Sequence, residues 1–348
     1  MLRQDQLPTP RPTEEQCAVL KVFEGFSFAR TMLVQSAGGR EFVRKVAAKG
    51  PPAEVLRRQV AHLRTLSSSC PGIVPEFLKD GEDEVAYWYD LAFFEGSRPL
   101  SEFPSETQVR VGTEVARCLK TYVYRDARRA PPAFLEHFLD AEVRRRLEVY
   151  LEQPELEAAA AQLQKMLVDP KVSIFSPTFV HPTHGDLTLE NILCADGGRE
   201  WKLVDPGSIC ENTGFSDLGR LLQSFSCGYK RWGDGRELED ADLFPSTWPD
   251  DVIAEFGDAG PSAEFAFTLR SGLFYLGLSL VRMVPSQRNR FPSRGPLCLR
   301  LALRVLAVAL GERPLTTSPR DCLGAASSRP QSVGVLGPAA RLHSAEPQ

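Results

Sequence analysis

The apolar pattern of this chain changes period once, near residue 92, and that change limits the fold more than any other feature. Before it, the runs 31–36, 41–47 and 84–94 are β-like, rich in Val, Leu and aromatic residues, and successive side chains of a strand point to opposite faces. After about residue 105, apolar residues recur at helical spacing through 106–124, 131–151, 153–168, 215–226, 263–284 and 296–311. Strands gathered in one block and helices in the next indicate segregated lobes rather than alternating β-α units. The expected fold class is α+β, with a small antiparallel sheet first and a larger helical body after it.

Inside the first block, Ala37-Gly38-Gly39-Arg40 joins two β-like runs and reads as a hairpin. Pro51 and Pro52 then open a helix over 51–66, with Val55, Leu56, Gln59, Val60, Leu63 and Leu66 near one stripe. Residues 1–12 are polar and Pro-rich, and Thr13-Glu14-Glu15-Gln16 has the form of a capping box opening a short helix. Residues 312–348 are rich in Pro, Ser, Ala and Gly without periodicity and are expected to be disordered. The expected organisation is an extension over 1–20, a small lobe over 21–92, a helical lobe over 93–312 and a tail over 313–348.

Composition narrows the partners. A net charge of −4 with acids and bases interspersed leaves no basic footprint for nucleic acid. The most apolar helix-like run, 296–310, is shorter than a membrane span and carries Arg300 and Arg304, so no membrane partner is expected. The eight Cys form no C-x-x-C pair and the N-terminus is no signal peptide, which points to reduced thiols and a cytoplasmic location. The oligomeric state stays open.

The segment Thr183-His-Gly-Asp-Leu-Thr-Leu-Glu-Asn-Ile-Leu193 sets two acids, a His and an Asn among apolar residues. Buried carboxylates are costly unless paired or bound to a cation. Asp186 and Asn191 lie five apart, and the strand-like run Trp201–Val204 delivers Asp205 to a turn made by Pro206 and Gly207. Such oxygen donors suit Mg²⁺, which takes only one or two protein ligands and completes its shell with water and phosphates.

His184-Gly-Asp-Leu-Thr-Leu-Glu-Asn191 resembles the catalytic loop H-x-D-x-x-x-x-N of protein-kinase-like enzymes. Gly185 is the form found in aminoglycoside phosphotransferases, choline kinases and related small-molecule kinases, and Leu203-Val-Asp-Pro-Gly207 looks like their metal-binding element. The resemblance covers roughly residues 22–312 and implies a bilobal protein-kinase-like fold that uses ATP or GTP with Mg²⁺ to phosphorylate a hydroxyl of a small molecule. It makes Asp186 the catalytic base, Asn191 and Asp205 the metal ligands, and His184 and Asp217 supports of the loop. Lys45 would meet the nucleotide phosphates from the same strand face as Val43, with Arg44 turned into solvent. Ser27, in a segment with a single Gly, falls where a phosphate-covering loop belongs, and Asp90 and Ala92 lie in the stretch whose backbone would pair with the nucleotide base. Gln59 stands where the family's helix carries a Glu that pairs with the strand Lys, and Glu54 is the other candidate for that pairing.

A protein kinase is disfavoured, because eleven residues (206–216) separate Asp205 from Asp217 and no Ala-Pro-Glu follows. The alternative from another class is a catalytically inactive nucleotide-binding scaffold, suggested by the missing Gly-rich consensus and by Gln59. The acidic stretches 234–244 and 248–260 would suit a cationic acceptor but also read as solvated loops, and a sugar-like alcohol is equally compatible.

Overall fold

The computed structural model describes residues 17–23, 29–207, 209–227, 247–257, 262–290, 293–316 and 318–323. Its first lobe is a five-stranded antiparallel sheet built from β1 (Ala18–Phe23), β2 (Arg30–Gln35), β3 (Glu41–Ala48), β4 (Phe77–Glu82) and β5 (Ala86–Ala92), in the order β1-β2-β3-β5-β4. β2 and β3 form the expected hairpin, with Gly39 at φ 81° in the turn where a left-handed residue is needed. Between β3 and β4, α1 (Pro51–Ser69) lays Ala53, Leu56, Val60, Leu63 and Leu66 against the sheet. Both faces of β3 are largely covered, and only Glu41, Val43 and Ala48 remain partly accessible.

Two strands escape the alternation test. β1 begins at Ala18, inside the stretch expected to be an extension, and exposes Val19, Leu20 and Val22. β4 is largely accessible along its length. An edge strand without a buried face carries no period-2 signal. The capping-box helix expected from residues 13–16 lies outside the described residues, and the chain is a strand from Ala18 on.

The second lobe follows β6 (Arg98–Pro99). Its elements are α2 (Ser105–Cys118), β7 (Arg128–Arg129), α3 (Phe134–Leu139), α4 (Arg145–Leu151), α5 (Glu157–Leu167), β8 (Phe179–Pro182), β9 (Ile192–Ala195), β10 (Glu200–Leu203), β11 (Glu211–Asn212), α6 (Gly214–Ser226), α7 (Asp250–Phe256), α8 (Ser262–Arg290), α9 (Arg294–Ala309) and α10 (Pro319–Leu323). π-helical turns at Leu119–Val123 and Asp140–Arg144 continue α2 and join α3 to α4, so the expected helices over 106–124 and 131–151 are each one irregular run. α8 packs against both α9 and α6 to form the main core of this lobe.

A second core crosses the lobes, joining Leu56, Leu63 and Tyr89 of the first to Leu187, Leu189, Ile192, Val111 and Leu221 of the second. The segment carrying the polar cluster is therefore anchored by apolar side chains on the seam between lobes. Past residue 311 the expectation of disorder is overturned over the described part: Trp248 Nε1 donates to Thr316 O at 3.0 Å, and α10 buries Cys322 and Leu323 against the helical core. A docked stretch this short, burying Pro319, Cys322 and Leu323, leaves no periodic trace. Among the described residues no helix is long and apolar enough to cross a membrane.

Candidate active site

The 183–193 segment runs from β8 through a single 3₁₀ turn at Leu189–Asn191 into β9, which pairs antiparallel with β10. Leu187, Leu189, Ile192 and Leu203 are at most 2% exposed, so the polar residues between them are held in place by what the apolar ones bury. Asn191 Nδ2 donates to Asp186 O at 2.8 Å and to Asp186 Oδ2 at 3.0 Å, closing the loop on itself.

The Asp205 loop lies directly against it. Gly207 N donates to His184 O at 2.8 Å, and a Cβ placed on Gly207 would stand 2.5 Å from Gly185 O. Gly185 itself has φ 75°, and its Cβ would meet Ile209 O at 2.5 Å. Two backbones touch here, and only glycine at both positions permits it. Asp205 also adopts the left-handed region, at φ 53°, which Asp tolerates better than most side chains.

Two buried groups support the loop. His184 faces Val204 O through Nε2 at 3.0 Å, and burial, reinforced by His62, lowers its pKa to about 4, so the ring is neutral at neutral pH. Asp217 accepts from His184 N and Gly185 N, both at 2.8 Å, and from the Tyr124 hydroxyl at 2.9 Å. Burial pushes its pKa to about 6, against the pull of those three donors.

Lys45, 3% exposed, donates from Nζ to Asp205 Oδ1 at 2.7 Å. The pairing expected between Lys45 and Gln59 is not made. Gln59 faces inward as its stripe indicated, but its Nε2 donates to Pro206 O at 2.9 Å. One turn on, both ring nitrogens of His62 face carbonyl oxygens, Nδ1 that of Gly207 at 3.1 Å and Nε2 that of Thr183. α1 thus grips the backbone of both loops and leaves the ammonium to a carboxylate. Glu54, exposed and paired with Arg57, does not substitute.

A second correction concerns Arg44 and Asp90. Arg44 is buried, stacks over Trp88 at 4.3 Å, and makes a bidentate pair with Asp90 at 2.7 and 2.8 Å. Asp90 sits in β5 with strands on both sides, so neither its side chain nor its ladder position is available to a nucleotide base. Ala92 ends the strand, and its N–H is used by Glu76 O at 2.9 Å. Ser27 lies outside the described residues.

The sequence reading missed Arg220. It extends from α6 to form an ion pair with Asp186 Oδ1 and to contact Gln223 Oε1. Burial raises the Asp186 pKa, but Arg220 and His184 outweigh it and leave the carboxyl below its ordinary value. The available signal was spacing: Arg220 follows Asp217 by three residues on a helix, which puts both on neighbouring positions of one face.

The donor set fits a hard cation. The amide nitrogen of Asn191 is used by Asp186, which leaves its oxygen for a metal, and the Asp205 carboxylate is 41% exposed beside it in the fold. Among the described residues no cluster of three or more His, Cys, Asp or Glu could hold a metal unaided. The site suits an ion such as Mg²⁺, whose shell is completed by phosphate and water.

A family model described as APH, phosphotransferase enzyme family, matches residues 19–244. The fold is similar to that of a provisionally named fructosamine-3-kinase from Haemophilus somnus 129PT, at 14% identity and TM-score 0.58, covering 82% of this chain and 90% of that one. A provisionally named fructosamine-3-kinase from Thermobifida fusca YX-ER1 aligns at 16% identity and TM-score 0.53, covering 83% and 95%. Amicoumacin kinase hAmiN, solved with AMP-PNP, Ca²⁺ and its ligand, aligns at 14% identity and TM-score 0.51, covering 86% and 90%. No curated protein is a significant sequence match.

Proposed function

This chain belongs to the phosphotransferase enzyme family, and we propose that it moves the γ-phosphoryl group of ATP to a hydroxyl of a small molecule through Asp186, Asn191, Asp205 and Lys45. The observation that carries this reading is the packing of the two loops against each other, with Gly207 N on His184 O, which sets the Asp186–Asn191 pair beside the Lys45–Asp205 pair.

Each residue has a separate task. The carboxylate of Asp186 accepts the proton as the acceptor oxygen bonds to phosphorus and the bridging oxygen departs with ADP. Its lowered pKa keeps it ionised for that purpose. In a loose transition state little basicity is needed, and placement of the hydroxyl matters more than proton affinity. Asn191 and Asp205 would hold Mg²⁺, which when bound neutralises phosphate charge. Lys45, desolvated within the sheet, donates to phosphate oxygens, and Gln59 and His62 keep the backbone under Asp205 in place. Asp217, bonded to two successive backbone N–H groups, maintains the left-handed turn at Gly185 that aims Asp186.

The test is phosphate transfer from ATP to a panel of sugars, sugar acids, sugar phosphates, amino alcohols and aminoglycosides, with the mass of each product measured. Asp186→Asn is expected to lower turnover by about 10²–10⁴-fold while nucleotide affinity stays close to wild type. Wild-type turnover in that variant would remove Asp186 from the mechanism.

A further inference from the structure

Beside the catalytic loop lies a narrow recess of about 20 Å³, lined among others by Gly185, Ser216, Arg220, Tyr275, Ser279 and Arg282. Among its described lining residues there is no carboxylate. Two guanidinium groups therefore face the space next to the base, brought there by α6 and α8.

Arg220 is held by Asp186 and Gln223, while the partner of Arg282 does not use all of its donors. Arg282 Nε stands 3.2 Å from Glu142 Oε2, and that same oxygen is 3.4 Å from Arg146 Nη2. One carboxylate is shared by two cations. Among the described residues neither Nη group of Arg282 makes a hydrogen bond. The hydroxyl of Tyr275, a residue 2% exposed on the same wall, also has no partner among them. Burial holds the Arg282 guanidinium below the ordinary arginine value, Arg220 and Arg146 add to that, and Glu142 opposes it. Partly desolvated donors of this kind favour an anion over water or over a second cation.

We propose that this recess binds an oxyanion group of the acceptor, carboxylate or phosphate, through Arg282 and Arg220, so that the substrate is an acidic alcohol rather than a polyamine. The proposal rests on the phosphotransferase reading and deepens it. A planar guanidinium presents parallel N–H donors that match two oxygens of such a group. Ser279 offers a hydroxyl donor from the same wall. Arg220 has a second consequence, because it is bonded to Asp186 here. An acceptor anion that engages Arg220 loosens its hold on Asp186 and brings the substrate hydroxyl alongside the carboxylate. Of the acidic stretches that suggested a cationic acceptor, residues 234–244 lie outside the described residues, and the described part of 248–260 does not line the recess.

The experiment has a binding arm and a transfer arm, both on the full chain with Mg²⁺. In the first, sulfate is titrated against the protein saturated with a non-hydrolysable ATP analogue, with sodium chloride at matched ionic strength as control. Sulfate is expected to raise the melting temperature of the wild type by about 2–4 °C, with the shift lost in Arg282→Gln and partly kept in Arg282→Lys. In the second, gluconate is compared with glucitol and glucose 6-phosphate with glucose, and the acidic member of at least one pair should show a KM about 10-fold or more below its neutral twin. Which pair responds separates carboxylate from phosphate. An equal sulfate shift in Arg282→Gln, or preferential use of neutral twins or of kanamycin, overturns the proposal. An Arg282-dependent sulfate shift without phosphate transfer to any acceptor would leave the anion recess standing and sink the phosphotransferase reading instead.

Discussion

Lys45 Nζ lies 2.7 Å from Asp205 Oδ1, so one ion pair fastens the central sheet of the first lobe to a loop of the second. The two ends differ in solvation: the lysine side chain is 3% exposed and the aspartate 41%. A buried ammonium deprived of its partner is costly, although access of water at Asp205 reduces that cost.

Asp205→Asn preserves the left-handed backbone position but removes the charge. It is expected to destabilise the nucleotide-free protein by about 1–2 kcal/mol and to abolish metal-dependent nucleotide binding. Lys45→Met added to it should recover part of the lost stability, because the unpaired cation is gone. Thermal melts of the two single variants and the double variant form the cycle, and additive losses would contradict a direct Lys45–Asp205 coupling.

Gln59→Glu tests how α1 grips the Asp205 loop. The amide nitrogen now donates to Pro206 O, and a carboxylate has no hydrogen to offer there. Placing two acceptors face to face in a buried site should cost about 1–3 kcal/mol and lower kcat. Unchanged melting and turnover, or an improvement in nucleotide KM, would mean that the side chain turns to Lys45 instead.

Ending the chain after residue 314 removes α10 and the Thr316 carbonyl that accepts from Trp248. Cys322 and Leu323, at most 1% exposed, would no longer cover the helical core. Loss of these side chains, with buried Pro319 and core-packed Leu315, is expected to cost about 2–5 kcal/mol, seen as a fall in melting temperature or as poor soluble yield. A truncated protein that melts with the full chain would show that this helix contributes nothing.

His184 and Asp217 respond to acid in opposite directions. His184 titrates at about 4 in the fold against 6.5 for the ordinary ring, so below pH 6.5 the unfolded chain takes a proton that the folded one refuses. Its contribution is full above about pH 6.5 and is lost as the pH falls toward 4. Asp217 titrates at about 6 against 3.8, so the fold takes that proton first and gains stability over much the same window. In His184→Asn only the Asp217 effect remains. The stability gap between wild type and variant should therefore be widest above pH 6.5 and shrink by up to about 3 kcal/mol toward pH 4. A gap that stays constant across pH 4–7 would show that the ring does not titrate as its burial implies.

Much of the fold was legible because its signals are local. The hairpin over residues 36–40, α1, and the long helices of the second lobe follow from side chains a few residues apart, whose spacing alone selects a strand or a helix. The apolar anchors Leu187, Leu189 and Ile192 marked the loop between them as a place where polar side chains are held rigidly. β1, β4 and α10 were not legible, since each buries too little for a periodic pattern to form.

Pairings across the fold followed a different rule. Arg44 alternates with Lys45 and by that pattern faces solvent, yet it is closed over by Trp88 and bound to Asp90, 46 residues away. Gln59 reaches Pro206 across 147 residues, Lys45 reaches Asp205 across 160, and Arg220 reaches Asp186 only because α6 returns past the loop it follows. By itself the sequence determined the β2–β3 hairpin, α1 and the long helices, their order, and which polar residues share the loop between β8 and β9. Only the tertiary structure decided which charge meets which, because an ion pair depends on where two distant backbones dock, and that leaves no spacing in the chain to read.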